Sequence, residues 1–235
     1  MSKMNNEVNI MKRSTINNLI KENIAFLDKM NFKLPPFAFW TPEEWAEKGA
    51  EYDEIRDNML GWDITDFGSG DFDKVGLFLF TIRNGNIHNP KYNKTYAEKL
   101  LIVNENQVTP YHFHWHKAED IINRGGGNLV VKLYNSTEDE KFADTPVTVN
   151  VDGHEYQIEA GGIVVLKPGE SITMQRGQYH SFWGEPGKGK VLVGEVSMVN
   201  DDNADNRFYE PAGRFPTVDE DEPVLYYLCS EYPKA

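Results

Sequence analysis

Apolar residues recur at three- and four-residue steps early in the chain, at Ile16, Leu19, Ile20, Ile24 and Leu27. That spacing predicts an amphipathic helix, with Ser14 as its N-cap. The helix should end before Leu34-Pro35-Pro36, because a residue preceding proline is pushed out of the helical region. A second start follows at once. Thr41 can cap, Pro42 suits the first helical position and Glu44 completes a capping box. This predicts a helix through Trp45 to about Leu60, stopping near Gly61. The first ten residues are polar and are expected to be loose.

Beyond Gly61 the pattern shortens. Apolar runs at 75–83, 99–103, 108–114 and 128–133 read as strands, as do 163–166, 171–174, 179–184 and 190–199. Runs at 147–151 and 155–158 flank Asp152-Gly153, a hairpin turn signal. A polar return over 201–214 and an acidic patch at 219–222 precede a last expected strand at 224–229. Short strands separated by turn residues, with no helical pattern between them, predict an all-β antiparallel sandwich or barrel. The expected organisation is a helical extension, 1–61, packed on a barrel, 62–235.

Charge narrows the partners. A net charge of −13 disfavours nucleic acid, whose binding rests on phosphate neutralisation, and equally an anionic membrane surface. A single cysteine, Cys229, excludes an intrachain disulfide framework and fits a reducing compartment. The N-terminal stretch lacks the apolar core of a signal peptide and no apolar run approaches membrane-spanning length, so a cytoplasmic location is expected.

Chemistry concentrates in Tyr111-His112-Phe113-His114-Trp115-His116-Lys117-Ala118-Glu119, which holds three of the six histidines. On a strand, His112, His114 and His116 would share one face and Phe113 and Trp115 the other. Imidazoles with a nearby carboxylate suit a borderline divalent ion such as Mn, Fe, Co, Ni or Zn rather than Ca or Mg. His180, after the Gly177 turn, is the best placed further ligand. His88 and His154 lie in loop-like or hairpin sequence and read as surface residues. Gly125–Gly127 lacks the Lys-Ser/Thr and the strand-to-helix setting of a phosphate loop. It reads as a tight turn or a close backbone approach.

These residues resemble the cupin superfamily. His112-x-His114, four residues, Glu119, six residues and Gly126 match its first motif; Gly169, Gly177 and His180 match its second. Asn106, Gln175 and Gly184 depart from it, at turn positions and not at ligands. The resemblance implies a jelly-roll barrel with His112, His114, Glu119 and His180 as metal ligands, and leaves His116 beside the site. A longer likeness runs from Asp120-Ile121-Ile122-Asn123-Arg124 through the tail Asn200-Asp201-Asp202, Asp205-Asn206-Arg207-Phe208, Gly213-Arg214-Phe215 and Asp221-Glu222-Pro223. It looks like the D-lyxose isomerase family. That resemblance implies a Mn2+-dependent isomerase (Co2+ or another divalent ion being possible) of D-lyxose and D-xylulose, with D-mannose and D-fructose as slower partners.

Moving hydrogen between C1 and C2 of a sugar requires a base and a stabilised enediolate. Glu195, a charge within the apolar run 191–197, is the expected base if it faces the lumen, where burial would raise its pKa. Lys117 is a candidate second proton carrier. Lys99, Glu119, Asp205 and Arg214 are expected to face the sugar; Asp201 is a weaker candidate. Two other readings stand at this level, a cupin dioxygenase and a non-catalytic sugar-binding cupin. Apolar surface on the extension suggests a homodimer.

Overall fold

The computed structural model describes residues 10–235. The expectation for the first ten residues therefore lies, Ile10 apart, outside the described residues. The chain opens with β1 (Ile10–Lys12) and α1 (Arg13–Lys29). Lys12, not Ser14, occupies the N-cap position and makes no side-chain cap; Ser14 sits inside the helix and hydrogen-bonds Asp221. A 3-10 turn (Pro36–Phe39) leads to α2 (Pro42–Ala46), where Thr41 and Glu44 form the expected capping box. The predicted long second helix is instead three pieces. α2 stops before Gly49, a 3-10 turn covers Ala50–Tyr52, and α3 spans Asp53–Asp57. Arg56 ties the break shut by donating to the carbonyls of Lys48 and Gly49.

The strands are β2 (Gly61–Thr65), β3 (Leu77–Arg83), β4 (Tyr96–Val103), β5 (Thr109–Phe113) and β6 (Glu119–Gly126). Next come β7 (Leu129–Asn135), β8 (Val147–Val151), β9 (His154–Ile158), β10 (Ile163–Leu166) and β11 (Ser171–Met174). The last are β12 (Gln178–Gly184), β13 (Val191–Met198), β14 (Arg207–Phe208) and β15 (Thr217–Asp219). Two antiparallel sheets face each other, β2-β3-β4-β13-β6-β11-β8-β9 and β10-β7-β12-β5-β14. This is an all-β, cupin-type barrel with a helical N-terminus. The expected final strand at 224–229 is absent; only Leu228 bridges to Trp62, while β15 pairs with β1.

Two apolar layers explain the sequence pattern. Between the sheets, Leu79, Leu101, Ile121 and Val193 pack against Leu129, Val131, Leu133 and Phe182. Behind the larger sheet, Ile16, Ile20 and Leu27 of α1 pack on Trp62, Phe78, Phe80, Leu100, Ile102 and Leu192. Strands β3 and β4 are thus covered on both faces, which is why they read as continuous apolar runs rather than alternating ones. The same two-residue period fixes the polar positions. Lys99 follows Leu101 and Val103, and Glu195 follows Val191 and Val193, onto the lumen face.

Gly125 and Gly126 end β6 rather than forming a free turn. The pairing with β13 slips by one residue there, as Leu192 faces Gly125 and Val193 faces Asn123. A Cβ on Gly126 would lie 2.2 Å from the Lys190 carbonyl oxygen, so the expected close backbone approach is what the glycine serves.

Candidate active site

Strand β5 delivers His112 and ends at Phe113, so the three histidines do not share one strand face. His114 follows in a tight turn. Asp205 builds that turn, because its carboxylate accepts the backbone N–H groups of Trp115, His116 and Lys117 at 2.8, 2.9 and 3.0 Å. The turn sends His116 out to solvent and Lys117 inward. β12 supplies His180, whose Cα pairs directly with that of His112.

Each of the three rings is oriented by a backbone carbonyl at Nδ1. Pro110 O lies 2.8 Å from His112, Asp205 O 2.6 Å from His114 and Gln178 O 3.0 Å from His180. Their ligand nitrogens converge within 4.8 Å of one another, all buried. Holding Nδ1 as the donor leaves Nε2 as a lone-pair donor toward a common centre, which is how proteins prepare imidazoles for a metal. Burial, with His180 and His114 close by, pushes the His112 pKa well down and keeps the ring in its neutral, ligating form. Glu119 completes the group. Its Oε1 is 3.2 Å from His180 Nε2 and its Oε2 3.5 Å from His114 Nε2.

Beside this cluster lies a line of opposite charges. Lys117 Nζ stands 2.6 Å from Glu119 Oε2 and donates to Glu195 Oε1 at 2.7 Å and to Asn200 Oδ1 at 3.0 Å. Burial alone would lower the Lys117 pKa, but Glu119, Glu195 and Asp202 outweigh it and raise it. Burial likewise opposes ionisation of Glu119, yet Lys117 and His114 hold its carboxyl well below the usual range. Lys99 Nζ reaches Asp202 at 3.2 Å, and Arg214 bridges Asp202 at 3.1 Å and Asp63. His112, His114, Glu119, Lys99, Lys117, Glu195, Asp202 and Arg214 line one cavity, together with Thr109, Asn206 and an apolar floor that includes Leu101 and Phe182.

Among the described residues, Thr109 Oγ1, His180 Nε2 and Arg214 Nη1 are buried with no hydrogen-bond partner, and Glu119 Oε2 is met by the Lys117 ammonium as an ion pair. Orphaned buried polar atoms are rare in folded proteins, and their clustering marks a place built for a ligand. Here His180 Nε2 belongs to the imidazole–carboxylate group, and the Thr109 and Arg214 atoms belong to the cavity wall. The donor set fits a divalent transition ion.

The sequence-predicted residues His112, His114, Glu119, His180, Lys117, Glu195, Lys99 and Arg214 are thus brought together. Asp205 is not brought into the cavity to meet a sugar. Its carboxylate is fully engaged by three backbone N–H groups, and its carbonyl orients His114, so it positions the site from behind. Asp201 also turns away, pairing with the exposed His88 at 2.9 Å. Sequence reasoning missed Asp202, Asn200, Thr109, Asn206 and Asp63. The first two lie in irregular chain with no period to read. Asp63, followed by Ile64, carried the same signal as Glu195, a carboxylate inside an apolar strand.

The cupin-type barrel thus holds a histidine–carboxylate cluster and buried charge pairs in its lumen. The chain belongs to the D-lyxose isomerase family, whose model matches residues 11–232, and is an isomerase. It is 50% identical over 223 residues to a D-lyxose/D-mannose isomerase of Escherichia coli O157:H7, covering 94% of this chain and 98% of that one. It is 49% identical, with the same coverage, to a D-lyxose/D-mannose isomerase of Serratia proteamaculans. In fold it resembles the L-ribose isomerase of Acinetobacter sp. DL28 in complex with L-ribose. The TM-score is 0.61 at 17% identity, over 90% of this chain and 99% of that one.

Proposed function

We propose that this chain interconverts an aldose and its ketose, D-lyxose with D-xylulose and D-mannose with D-fructose, using a divalent metal. The observation that carries this reading is the convergence of the His112, His114 and His180 ligand nitrogens within 4.8 Å of one another, beside Glu119 and the buried Lys117–Glu195 pair. His112, His114, His180 and Glu119 would hold the ion, with Mn2+ the expected occupant. When bound, the ion supplies Lewis-acid stabilisation for the two sugar oxygens at the reacting carbons.

The protein's own groups do the rest. Glu195 is the base, taking the C2 hydrogen of the aldose as a proton and returning it to C1. Its carboxylate is held ready by the Lys117 ammonium. Lys117 keeps its proton, because three carboxylates raise its pKa, and so it steadies negative charge on the substrate oxygens. The hydroxyl of Thr109 and the free Nη1 of Arg214 are the unsatisfied groups left to bind the sugar's remaining hydroxyls. Lys99 and Asp202, paired with each other, present a donor and an acceptor to the same cavity. The apolar floor limits water around the reacting carbons.

Membership of an isomerase family leaves the dioxygenase and sugar-binding readings without an observation in their favour. Among the described residues no helix is long and apolar enough to cross a membrane. A cytoplasmic, homodimeric enzyme remains our reading of the sequence. The test is a sugar panel in which metal-loaded protein is incubated with each aldose and the ketose is detected. Turnover of D-lyxose or D-mannose is expected, and no turnover of any pentose or hexose sinks the isomerase reading.

A further inference from the structure

Lys117 has three partners at its ammonium: the two carboxylates of the proposed chemistry and the side-chain oxygen of Asn200. The third has no chemical part to play, so what holds Asn200 matters. Asn200 follows β13 in irregular chain, where nothing in a strand ladder fixes its backbone. Both of its main-chain groups are instead bonded to one side chain. Asn84 Oδ1 accepts the Asn200 N–H at 3.0 Å, and Asn84 Nδ2 donates to the Asn200 carbonyl at 2.9 Å.

This two-point clamp admits only one orientation of the Asn84 amide, since exchanging its O and N would set donor against donor and acceptor against acceptor. Asn84 is itself pinned. Its carbonyl accepts from Asn58 Nδ2 at 3.1 Å, and its amide also reaches the Asn58 carbonyl at 3.4 Å. Asn58 Oδ1 in turn accepts from Asn86 Nδ2 at 3.2 Å. Asn58 and Asn84 are both at most 5% exposed, so these bonds form where water does not compete. Asn58 lies directly beyond α3, at the end of the helical extension. A chain of asparagine amides therefore runs from the extension through Asn84 and Asn200 to the ammonium beside Glu195.

We propose that Asn84 is a positioning residue for catalysis. By clamping the backbone of Asn200 it places the Asn200 oxygen, and through it the Lys117 ammonium, between Glu119 and Glu195. This inference rests on the isomerase reading above. It also gives the extension a task in the reaction beyond covering the apolar back of the larger sheet. The amides contribute no proton and no charge; they set a distance.

The test is a double-mutant cycle on metal-loaded protein with D-lyxose, using Asn84→Ala, Asn200→Ala and the pair. Each single change is expected to lower kcat by about 10- to 100-fold, the effect of a small misplacement in a reacting site. KM should stay within about twofold of wild type, because neither asparagine is placed against the sugar. The pair should be no worse than either single variant, since Asn84 acts only through Asn200. Losses that multiply in the pair, a change confined to KM, or a single variant at wild-type kcat each overturn the inference. Asn200→Ala leaves the Asn84–Asn58 bonds intact, so it reports even where Asn84→Ala destabilises the fold. Wild-type turnover is the control. Its absence overturns the isomerase reading and this inference with it, whereas unchanged variants of an active enzyme overturn the inference alone.

Discussion

The Lys117 ammonium donates to Glu195 Oε1 at 2.7 Å, with both side chains buried, one from the turn after β5 and one from the lumen face of β13. Glu195 takes Lys117 as its partner, while Lys117 is shared with Glu119 at 2.6 Å. The pair sets a base and a fixed positive charge beside the imidazole cluster. Glu195→Gln keeps the shape and an acceptor at this contact and removes the charge and the ability to take a proton, while Lys117 retains Glu119 as its counter-charge. We expect kcat to fall by about 10²- to 10⁴-fold, with metal content and melting behaviour close to wild type. A Glu195→Gln variant that binds metal and turns over D-lyxose at the normal rate removes the base assignment.

The three imidazoles are each oriented by a backbone carbonyl, so the rings have little freedom left to lose when they bind an ion. A ligand that binds only the folded state stabilises it, by about 2.7 kcal/mol at a hundred times its dissociation constant. For a chain of this length that raises Tm by roughly 5–10 °C. Chelation should lower Tm by this amount and abolish turnover, and Mn2+ should restore both. In His180→Ala the addition of Mn2+ should leave Tm unmoved. A His180→Ala protein that still gains full stabilisation from Mn2+ places the ion elsewhere.

The histidine–carboxylate cluster was legible in the sequence because cupin motifs fix spacing within single segments. His112, His114 and Glu119 sit within eight residues, and His180 follows its own glycine turn. Glu195 and Lys99 were legible for another reason, as charges that interrupt apolar strands of known period. What escaped was information carried by irregular chain. Asp202 enters the cavity and Asp201 leaves it, although they are neighbours of identical chemistry; only the contacts to Lys99 and to His88 separate them. Asp205 was found but given the wrong task, since a carboxylate that organises backbone N–H groups looks the same in sequence as one that meets a substrate. The missing strand at 224–229 has a similar origin. Its apolar residues are real, but Leu225, Tyr226 and Leu228 pack against the helical side of the sheet without pairing as a ladder.

Cys229 is the chain's one cysteine, and it is 6% exposed. Burial, reinforced by the nearby Asp63 carboxylate, pushes its thiol pKa well up. A thiol must be both reachable and ionised to react. The folded protein should therefore be inert to a disulfide reagent such as DTNB at neutral pH, and should yield one thiol equivalent in denaturant. Rapid reaction of the native protein, without loss of fold, overturns this assignment of Cys229 as a packed, unreactive side chain.

Asp202 holds two cations at once, accepting from Lys99 at 3.2 Å and from Arg214 at 3.1 Å. Burial opposes its ionisation, but Arg214, Lys99 and Lys117 prevail and keep its carboxyl well below the usual 3.8. A carboxyl whose pKa is depressed by folding stabilises the protein fully above the unfolded value. It loses that contribution as pH falls below 3.8 toward the folded value. Replacing it with Asn leaves Lys99 and Arg214 short of a counter-charge and is expected to cost about 3 kcal/mol near neutral pH. Measured by denaturant titration, the gap between wild type and Asp202→Asn should stay constant from pH 8 to 5. It should narrow only in acid below pH 4, as the carboxyl takes up its proton in the unfolded chain before it does in the folded one. A gap that closes between pH 7 and 5 instead assigns the loss to some other group, and an Asp202→Asn protein as stable as wild type removes Asp202 from the charge network.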